Sequence, residues 1–318
     1  MKVLLIAMPF YGYEHRIKAE IERQGHQVDL VYDIEKLSFP KKVIAKIKGS
    51  RRAIDLKYQI SLLNTISDNY DIVFVIVGRF LQPEFLDSIK QKNPNAKLIL
   101  YLWDDVLRVE NFKLVYSKYD KIFSFDPVDC EKYGFEFLPL FYCNDCKISN
   151  CEKEYDIYSS LWNHSDRLKI VKQIVTDYPD YLFNFYVFFV LKRNYVKTKI
   201  HNLFSKDPLS KYYHIHRMSY ADNIKNMLKS KSMLDIQHPT QKGLTMRTLE
   251  TIGCAVKLIT TNTEVKKYDF YNPNNILVID RNTPEIPSTF LKTPYECLRD
   301  DVYYKYSLEN WVKTIFIK

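Results

Sequence analysis

Short apolar runs alternate with longer segments of mixed polar and apolar character along the first half of the chain. The apolar runs predict strands at 3–8, 27–32, 71–78, 97–103 and 121–125, and the mixed segments predict helices at 14–24, 50–67, 83–91 and 112–119. The run DIVFVIVG, which begins at Asp71, is apolar on both faces, as is typical of a central strand in a parallel sheet. A strand, a helix and a second strand in this order form the βαβ unit that opens a doubly wound domain.

The same alternation starts again after a polar segment without periodicity, residues 143–153. The second half predicts strands at 155–162, 183–190, 212–216, 233–237 and 256–260, with helices at 165–176, 196–203, 219–230 and 245–252. We therefore predict an α/β protein with two Rossmann-like, doubly wound domains that face each other across a cleft. Their expected bounds are 1–150 and 151–306, and a C-terminal helix over 307–318 is expected to pack back near the junction.

Length and composition agree with two domains. A chain of 318 residues is longer than one hydrophobic core usually grows. Its 46% apolar and 27% charged residues are ordinary for a folded, water-soluble protein. The formal charge of +9 favours an anionic partner, which makes nucleotides, nucleic acids and phospholipid surfaces the candidates.

The sequence contains no clear targeting, membrane or metal signal. The opening MKVLLIAM has neither the length nor the small-residue cleavage site of a signal peptide, so the protein is expected in the cytoplasm. The longest apolar run covers 181–191, well short of the roughly 20 residues that span a bilayer. Three cysteines cluster in CNDCKISNC at 143–151 without a nearby fourth ligand, whereas structural zinc normally takes four. We predict no metal site.

Two common nucleotide-binding motifs are missing from the sequence. No GxxxxGK[ST] phosphate loop occurs, and no GxGxxG follows the first strand. Kinases, ATPases and nicotinamide-dependent dehydrogenases are therefore disfavoured.

The clearest candidate site lies in the segment DIQHPTQKGLTMRTLETIGCAVKLITTN, residues 235–262. Gly243 and Thr245 fall where a loop becomes a helix, so free backbone N–H groups and the positive helix end can bind a diphosphate. Arg247 lies in the first turn and can fork onto phosphate oxygens. Glu250 follows three positions later, where a carboxylate can accept hydrogen bonds from ribose hydroxyls. In the alternative interpretation Thr245 is only a helix cap, and Arg247 and Glu250 are only a surface pair.

Several motifs of this chain resemble one enzyme family. QKGLTMRTLE, KLITTN and YDFYNPNNILVIDR, together with KVLLIAMPFYGY, LILYLWDD, KYDKIFSFDPVDCEKYGFEFLPLFY and YSLENW, are similar to GT-B glycosyltransferases that build bacterial capsule, lipopolysaccharide and exopolysaccharide. The resemblance covers most of the chain. It implies that the C-terminal domain binds a nucleotide-sugar as substrate, with no cofactor, and that the sugar goes to a growing glycan, often lipid-linked.

The resemblance also implies roles for residues of the second domain. In the binding of the donor, the diphosphate loop would be formed by Gln241, Gly243, Leu244 and Thr245. Arg247 would bind a phosphate, and Glu250 would bind the ribose. The alternative of a plain capped helix stays open beside them.

The chain departs from the family's pattern at the first turn of the second domain. Where such proteins commonly have a glycine-containing turn, this sequence has SSLWNHSDR at 159–167. A side chain replaces the glycine, which puts a close approach of phosphate in doubt. From the start of the next helix, His164, Ser165 and Arg167 can still contact the donor, and the alternative is a capped surface helix.

An inverting transfer needs a base for the acceptor proton and stabilisation of the departing diphosphate. The first candidate for the base is Asp104, which follows the strand LILYLW, and the second is His15, which follows the first strand. Alternatively, Asp104 caps the next helix and His15 is a solvent-exposed helix residue. Because no DxD triplet occurs, a helix N-terminus and arginine are expected to stabilise the leaving group without an obligatory metal ion.

The stretch LSFPKKVIAKIKGSRRAIDLKY, residues 37–58, mixes lysine and arginine with Phe39, Val43, Ile44 and Ile47. Such a segment can lie on an anionic membrane and hold the protein peripherally at the inner face of the cell membrane, near a lipid-linked acceptor. The alternative is a solvated basic helix with one buried face.

Two other classes of function are alternatives to glycosyl transfer. A non-catalytic module of the same fold, which only binds nucleotide or scaffolds a polysaccharide complex, would share these motifs. Nucleic-acid binding is disfavoured, because the basic residues are spread along the chain and no recognised nucleic-acid motif occurs.

Overall fold

The computed structural model describes residues 1–47, 50–109, 111–149, 151–204 and 207–317. Four positions inside predicted segments, Lys48, Gly49, Asn150 and Lys318, lie outside the described residues, as does the side chain of Ile44. Contacts between Cα atoms divide the chain into two units. The first comprises Met1–Pro139 with Val312–Lys318, and the second comprises Leu140–Trp311.

The first unit is built on one parallel sheet. Its elements are β1 Lys2–Ala7, α1 Tyr13–Arg23, β2 Gln27–Tyr32, α2 Phe39–Ile47, α3 Arg52–Leu62, β3 Ile72–Ile76, α4 Pro83–Lys92, β4 Lys97–Leu102, α5 Phe112–Val115, β5 Lys121–Ser124, α6 Pro127–Tyr133 and β6 Glu136–Phe137. The strand order over the described residues is β2-β1-β3-β4-β5-β6. Strands β1, β3 and β4 are almost entirely buried, as central strands of a doubly wound sheet must be.

The second unit repeats this plan with a different strand order. Its elements are β7 Tyr155–Trp162, α7 Arg167–Asp177, β8 Phe183–Phe188, α8 Lys192–Phe204, β9 Tyr213–His214, α9 Tyr220–Leu228, β10 Ser230–Asp235, α10 Met246–Cys254, β11 Lys257–Thr260, β12 Ile276–Val278, α11 Ser288–Lys292 and α12 Asp300–Lys305, before α13 Leu308–Ile317. In the part of the chain that the structure describes, the parallel strands follow the order β12-β11-β10-β7-β8-β9. From the β9 edge, and counted within this unit, that is the dinucleotide-binding order 3-2-1-4-5-6.

One apolar layer joins α7 to the second sheet. Ile170, Val171 and Ile174 of α7 pack in one cluster with Phe185 and Val187 of β8. These side chains recur at the spacing of one helix face and at alternate strand positions, which is why the pattern in the sequence predicts both elements. Each fully buried side chain of this size stabilises the fold by about 1.5–3 kcal/mol.

The segment after β6 packs in the second unit, so the division lies at Pro139 and not at the expected residue 150. Tyr142 donates from its backbone N–H to the carbonyl oxygen of Tyr306 at 2.9 Å and accepts from the N–H of Leu308 at 2.9 Å. Cys146 is buried beside α10. Within 143–153, Cys143 and Cys146 are buried, while most of the other described residues are exposed and irregular, as the sequence indicated.

The C-terminal helix α13 makes aromatic contacts within both units. Trp311 packs on Phe141 with ring centroids 4.7 Å apart, and Phe316 packs edge-on against Phe74 of β3 at 5.6 Å. The helix belongs to the second unit up to Trp311 and to the first unit from Val312.

The predicted fold class is confirmed in both sheets, with a few corrections to single elements. The prediction ended the second sheet at 256–260, but β12 adds a further parallel strand beyond it. The predicted helix at 112–119 is the short α5 followed by a 3₁₀ turn. Within the described ranges, every helix is too short or too polar to span a bilayer.

Candidate functional site

The strand order of the second unit reverses between β7 and β10. Starting from β7, the chain adds β8 and β9 on one side and β10, β11 and β12 on the other. Doubly wound sheets bind ligands beyond the carboxyl ends of the strands at such a switch point. The turn 163–166 follows β7 and the loop 236–245 follows β10, so the sheet brings these two segments to one edge.

Asp235, the last residue of β10, organises this edge. Its buried side chain accepts hydrogen bonds from Thr245 Oγ1 at 2.6 Å, Thr248 Oγ1 at 3.3 Å and Arg247 Nε at 2.9 Å. Burial raises the pKa of a carboxyl, but the charge of Arg247 and the hydrogen bond from Thr245 outweigh it and hold the pKa of Asp235 below its ordinary value. An ionised Asp235 therefore ties the first turn of α10 to the end of β10.

Arg167, the first residue of α7, reaches the same edge from the side of β7. It is buried, with Nε donating to the carbonyl oxygen of Ile236 at 2.7 Å and Nη1 lying 2.9 Å from Nε2 of His164. Burial, followed by the positive charge of Arg247, lowers the pKa of Arg167 to about 9. An anion bound beside such a crowded cation would stabilise it.

Arg281 supplies a third guanidinium group from beyond β12. It donates to both carboxylate oxygens of Asp166, at 2.6 and 3.0 Å, and from Nη1 to Thr261 Oγ1 at 2.9 Å. Its charge also lowers the pKa of Arg167. Together with Arg247, these arginines outnumber the two carboxylates that pair with them, Asp166 and Asp235, so this group carries net positive charge.

The predicted diphosphate loop is closed by its own hydrogen bonds. Gln241 donates from its backbone N–H to the carbonyl oxygen of His238 at 3.0 Å and from Nε2 to that of Gly243 at 3.2 Å. Thr245 caps α10 with its hydroxyl, as the cap interpretation expects, and also donates to Asp235. The side chain of Leu244 is buried, so this residue can offer only backbone groups to an anion at the N-terminus of α10.

Glu250 differs from Arg247 in accessibility. Arg247 keeps 27% of its side-chain surface exposed, whereas Glu250 is 1% exposed and is therefore not a surface residue. Its Oε2 accepts from Nδ2 of Asn223 on α9 at 3.3 Å, and Oδ1 of Asn223 accepts from the hydroxyl of Tyr158 at 2.8 Å. A ribose hydroxyl at this oxygen of Glu250 would compete with Asn223 for it.

A cavity of about 510 Å³ lies between α9 and β8. Sδ of Met218, which lines it, lies 3.2 Å from the hydroxyl of Tyr158, so a chain of contacts through Tyr158 and Asn223 links this lining residue to Glu250. Other lining residues are Asn184, Tyr186, His214, Arg217 and Asp222. Flat rings and amide groups of this kind suit an aromatic ligand with a polar edge.

The turn after β7 has the backbone conformation that a glycine would supply. Ser165 has a φ of 52°, in the left-handed region that favours glycine. A side chain in that region costs roughly 1–2 kcal/mol. His164 precedes it, and its ring centroid lies 6.0 Å from that of His238 in the loop after β10. The missing glycine therefore adds strain without removing the turn.

In the first unit, Asp104 follows β4 at the carboxyl edge of the sheet. Nη2 of Arg79 donates to its Oδ2 at 2.6 Å, and both side chains are partly exposed. Burial raises the pKa of Asp104 above its ordinary value, although the charge of Arg79 opposes this. The cap alternative does not hold, because Asp105 is the residue that flanks the next turn, and it makes no capping hydrogen bond through its side chain.

His15 lies on α1 with 64% of its side chain exposed. Its Nε2 is 3.3 Å from the hydroxyl of Tyr32 and 3.7 Å from the carboxylate of Glu14. It thus occupies an exposed position on the helix, after the first strand.

Two buried groups that the sequence did not single out lie near the ends of β2 and β3. Asp33 is buried with only weak backbone N–H contacts from Phe80 and from its own residue, and the hydroxyl of Tyr119 is buried without a hydrogen-bond partner. Burial raises the pKa of Asp33 to about 7. Val77, with a φ of 65°, forms a strained three-residue turn in which the N–H of Gly78 donates to the carbonyl oxygen of Ile76 at 2.8 Å.

The cysteine cluster is not arranged as a metal site in the residues that the structure describes. All six cysteines are free thiols, and Cys143, Cys146 and Cys254 are buried. Across the described ranges, no group of three or more His, Cys, Asp or Glu side chains is placed to hold a metal ion.

The chain is similar to solved structures, although no protein-family model and no curated protein sequence matches it. HepE of Anabaena in complex with UDP-glucose has a TM-score of 0.55 at 12% identity over 99% of this chain and 95% of its own. The lipopolysaccharide outer core galactosyltransferase WaaB has 0.52 at 12% identity over 100% and 99%. The chain has the GT-B fold.

Enzymes of more than one activity share this fold. The UDP-GlcNAc 2-epimerase of Methanocaldococcus jannaschii has a TM-score of 0.52 at 11% identity, and the match covers 100% of both chains. Since identities of this size show the fold alone, the choice between activities in a GT-B protein depends on the site residues.

Proposed function

We propose that this GT-B protein is a glycosyltransferase that moves a sugar from a nucleotide-sugar to a glycan or lipid-linked acceptor in bacterial surface-polysaccharide biosynthesis. The observation that carries the proposal is the convergence of Arg167, Arg247 and Arg281 at the N-terminus of α10. A diphosphate has the charge and the oxygen geometry that such an arrangement accommodates. The complex of HepE with UDP-glucose supports a UDP-sugar as the first donor to test.

The nucleoside is proposed to extend from the diphosphate toward the cavity between α9 and β8. Along this direction Glu250 takes the ribose hydroxyls in place of Asn223, and the base enters the cavity beside Met218. His164, Ser165 and Arg167 contact the donor from the start of α7, while Gly243 and its neighbours in the loop 241–245 offer backbone N–H groups.

The chemistry follows from charge at the leaving group and a base at the acceptor. As the bond between the anomeric carbon and the diphosphate breaks, the arginines stabilise the developing negative charge, so no divalent cation is obligatory in this proposal. Asp104 takes the acceptor's proton, because burial raises its pKa and makes its carboxylate the stronger base. His15 is the second candidate for this base.

For the location of the protein in the cell, we propose that residues 37–58 hold it at an anionic membrane. Phe39, Val43 and Ile47 recur at every fourth position of α2, and Phe39 and Ile47 are 78% and 79% exposed. No Asp or Glu occurs from residue 36 to residue 54. An exposed apolar stripe in a basic segment fits the boundary between headgroups and acyl chains.

The test is a thermal-shift screen over UDP, GDP, CDP, CMP and dTDP, followed by product analysis with the matching nucleotide-sugars. A ligand at a hundred times its Kd adds about 2.7 kcal/mol of stability, so one nucleotide is expected to raise Tm clearly. Release of the nucleoside diphosphate with transfer of the sugar supports the proposal. Binding without turnover indicates the non-catalytic module, and a changed sugar on an intact nucleotide indicates epimerase chemistry. No shift with any nucleotide contradicts the donor site.

A further inference from the structure

The second unit carries an exposed surface that the donor site does not use. It comprises residues 190–200, from the end of β8 into α8, and is called the α8 surface below. Four of its apolar side chains are between 44% and 55% exposed, those of Val190, Leu191, Val196 and Ile200. We propose that the α8 surface binds the anionic headgroups and the outer acyl region of a phospholipid bilayer.

The orientation of α8 leaves this surface open. Tyr195 packs edge-on against Phe189 at 5.8 Å, and Lys199 donates from Nζ to the carbonyl oxygen of Ser210 at 2.6 Å. Residues three and four positions apart share a helix face, so these two side chains attach one face of α8 to the domain. Arg193 and Lys197 lie on the opposite face, and Val196 and Ile200 lie on the flank next to them; all four side chains are exposed.

The charge of the segment matches an anionic surface. Residues 181–206 contain no Asp or Glu and five basic residues, Lys192, Arg193, Lys197, Lys199 and Lys206. The next acidic residue, Asp207, is already bonded to the hydroxyl of Tyr213 at 2.7 Å. Each Lys or Arg near an anionic leaflet contributes about 1 kcal/mol to binding.

The apolar side chains favour a bilayer over a nucleic acid as the partner. A nucleic acid would pair its phosphates with Arg193 and Lys197 but would gain little from Val196 and Ile200. Proteins that bind single strands stack bases on aromatic side chains, and Tyr195 packs inward against Phe189. A bilayer accepts both the cations and the apolar side chains.

The α8 surface lies at a useful place in the second unit. Since α8 begins after the carboxyl end of β8, it starts at the edge of the sheet to which the donor site also belongs. A bilayer bound there would hold a lipid-linked acceptor at the edge where a nucleotide-sugar is proposed to bind. The binding itself depends neither on residues 37–58 nor on the donor chemistry.

The experiment measures sedimentation of the full-length protein with vesicles of phosphatidylcholine alone and of equal parts phosphatidylcholine and phosphatidylglycerol. All variants carry Phe39→Ser and Ile47→Ser, so that α2 does not mask the result. The charge variant is Lys192→Gln with Arg193→Gln and Lys197→Gln, and the apolar variant is Val196→Ser with Ile200→Ser. The matched controls are Lys266→Gln with Lys267→Gln, and Leu182→Ser, which removes an apolar side chain that is 62% exposed.

The expected results differ between the variants. The charge variant should bind the anionic vesicles about a hundredfold more weakly, from three charges at about 1 kcal/mol each. The apolar variant should lose about tenfold, from two partly inserted side chains, and the controls should bind as their parent does.

Three results would overturn the proposal. They are equal binding to both kinds of vesicle, unchanged binding by the charge variant, and unchanged binding by the apolar variant. If only the charge variant loses binding, and it also loses binding to single-stranded RNA, the surface binds nucleic acid instead. The nucleotide thermal shift is measured on the same proteins, so failure of the donor proposal is seen separately.

Discussion

Nε of Arg247 donates to Oδ1 of Asp235 at 2.9 Å, which joins the first turn of α10 to the end of β10. The contact holds a cation at the switch point of the second sheet before any ligand binds. It also places an anion-binding residue in an ion pair with a buried carboxylate, so binding and stability are linked at this position.

Asp235→Asn is expected to destabilise the protein by about 3–5 kcal/mol at neutral pH, because it breaks a buried ion pair and leaves Arg247 without its carboxylate. Urea unfolding measures the loss. The folded pKa of Asp235 lies below its unfolded value, so its contribution is present above roughly pH 4 and is lost as the pH falls through the folded pKa. As the pH falls below about 4, the free energy of unfolding should therefore decrease less steeply in the variant than in the wild type. Wild-type stability in Asp235→Asn, with the exposed Asp301→Asn as control, would argue against the ion pair.

Asp33→Asn is expected to stabilise the protein above pH 7. The folded pKa of Asp33 is about 7 and the unfolded value is roughly 4, so this group's contribution to stability falls as the pH rises between them. Asp55 and Arg51 on the neighbouring α3 segment also act on this carboxyl. Asparagine keeps the size without the titration, and the gain should be on the order of a few kcal/mol. The free energy of unfolding is measured across this pH range for the wild type and for Asp33→Asn, with the exposed Asp87→Asn as control. If its dependence on pH is the same in Asp33→Asn as in the wild type, Asp33 is not protonated in the folded protein.

Asp104→Asn is expected to lower turnover about a hundredfold to ten-thousandfold while nucleotide affinity stays near wild type. Asparagine keeps the size and can still accept from Arg79, but it cannot take a proton. Steady-state kinetics and calorimetry on the same preparation give the two readouts. A fully active variant would reject Asp104 as the base and promote His15. Retention of configuration in the product would remove the need for such a base.

Two neighbouring substitutions at the end of α10 should differ in their effect on the free energy of unfolding. Gly253→Ala is expected to cost about 1–3 kcal/mol, because a Cβ there would lie 2.6 Å from Cγ of Tyr142 and 2.8 Å from Cβ of Cys146. Ala255→Gly should be neutral or stabilising, since Ala255 has a φ of 50° in the left-handed region. Thermal unfolding of the two variants compares them directly, and a lower Tm for Ala255→Gly than for Gly253→Ala would contradict the packing described.

The central strands could be predicted from sequence because burial on both faces makes β3 and β4 continuous apolar runs. Strand β12 could not, because three residues are too few to show a period. Helix α8 begins at Lys192, earlier than the predicted residue 196, since its first turn is exposed and carries no apolar periodicity.

The start of α10 could be predicted from the sequence, because a loop that contains Pro and Gly precedes a capping threonine. The ion pair between Arg281 and Asp166 could not, because 115 positions separate the two residues and only the sheet brings them together. The raised pKa of Asp33 depends on burial by surrounding elements, which no pattern at a single position reveals.

The central claim is that the arginines at the switch point of the second sheet bind a diphosphate. Calorimetric titration with the nucleoside diphosphate that gives the largest thermal shift tests it on wild type, Arg247→Ala and Arg299→Ala, whose side chain is exposed on the same unit. We predict that Arg247→Ala loses about 1.5–3 kcal/mol of binding free energy, the range for hydrogen bonds to charged groups, and that Arg299→Ala binds as wild type does. Equal affinity in a folded Arg247→Ala protein would contradict the donor site.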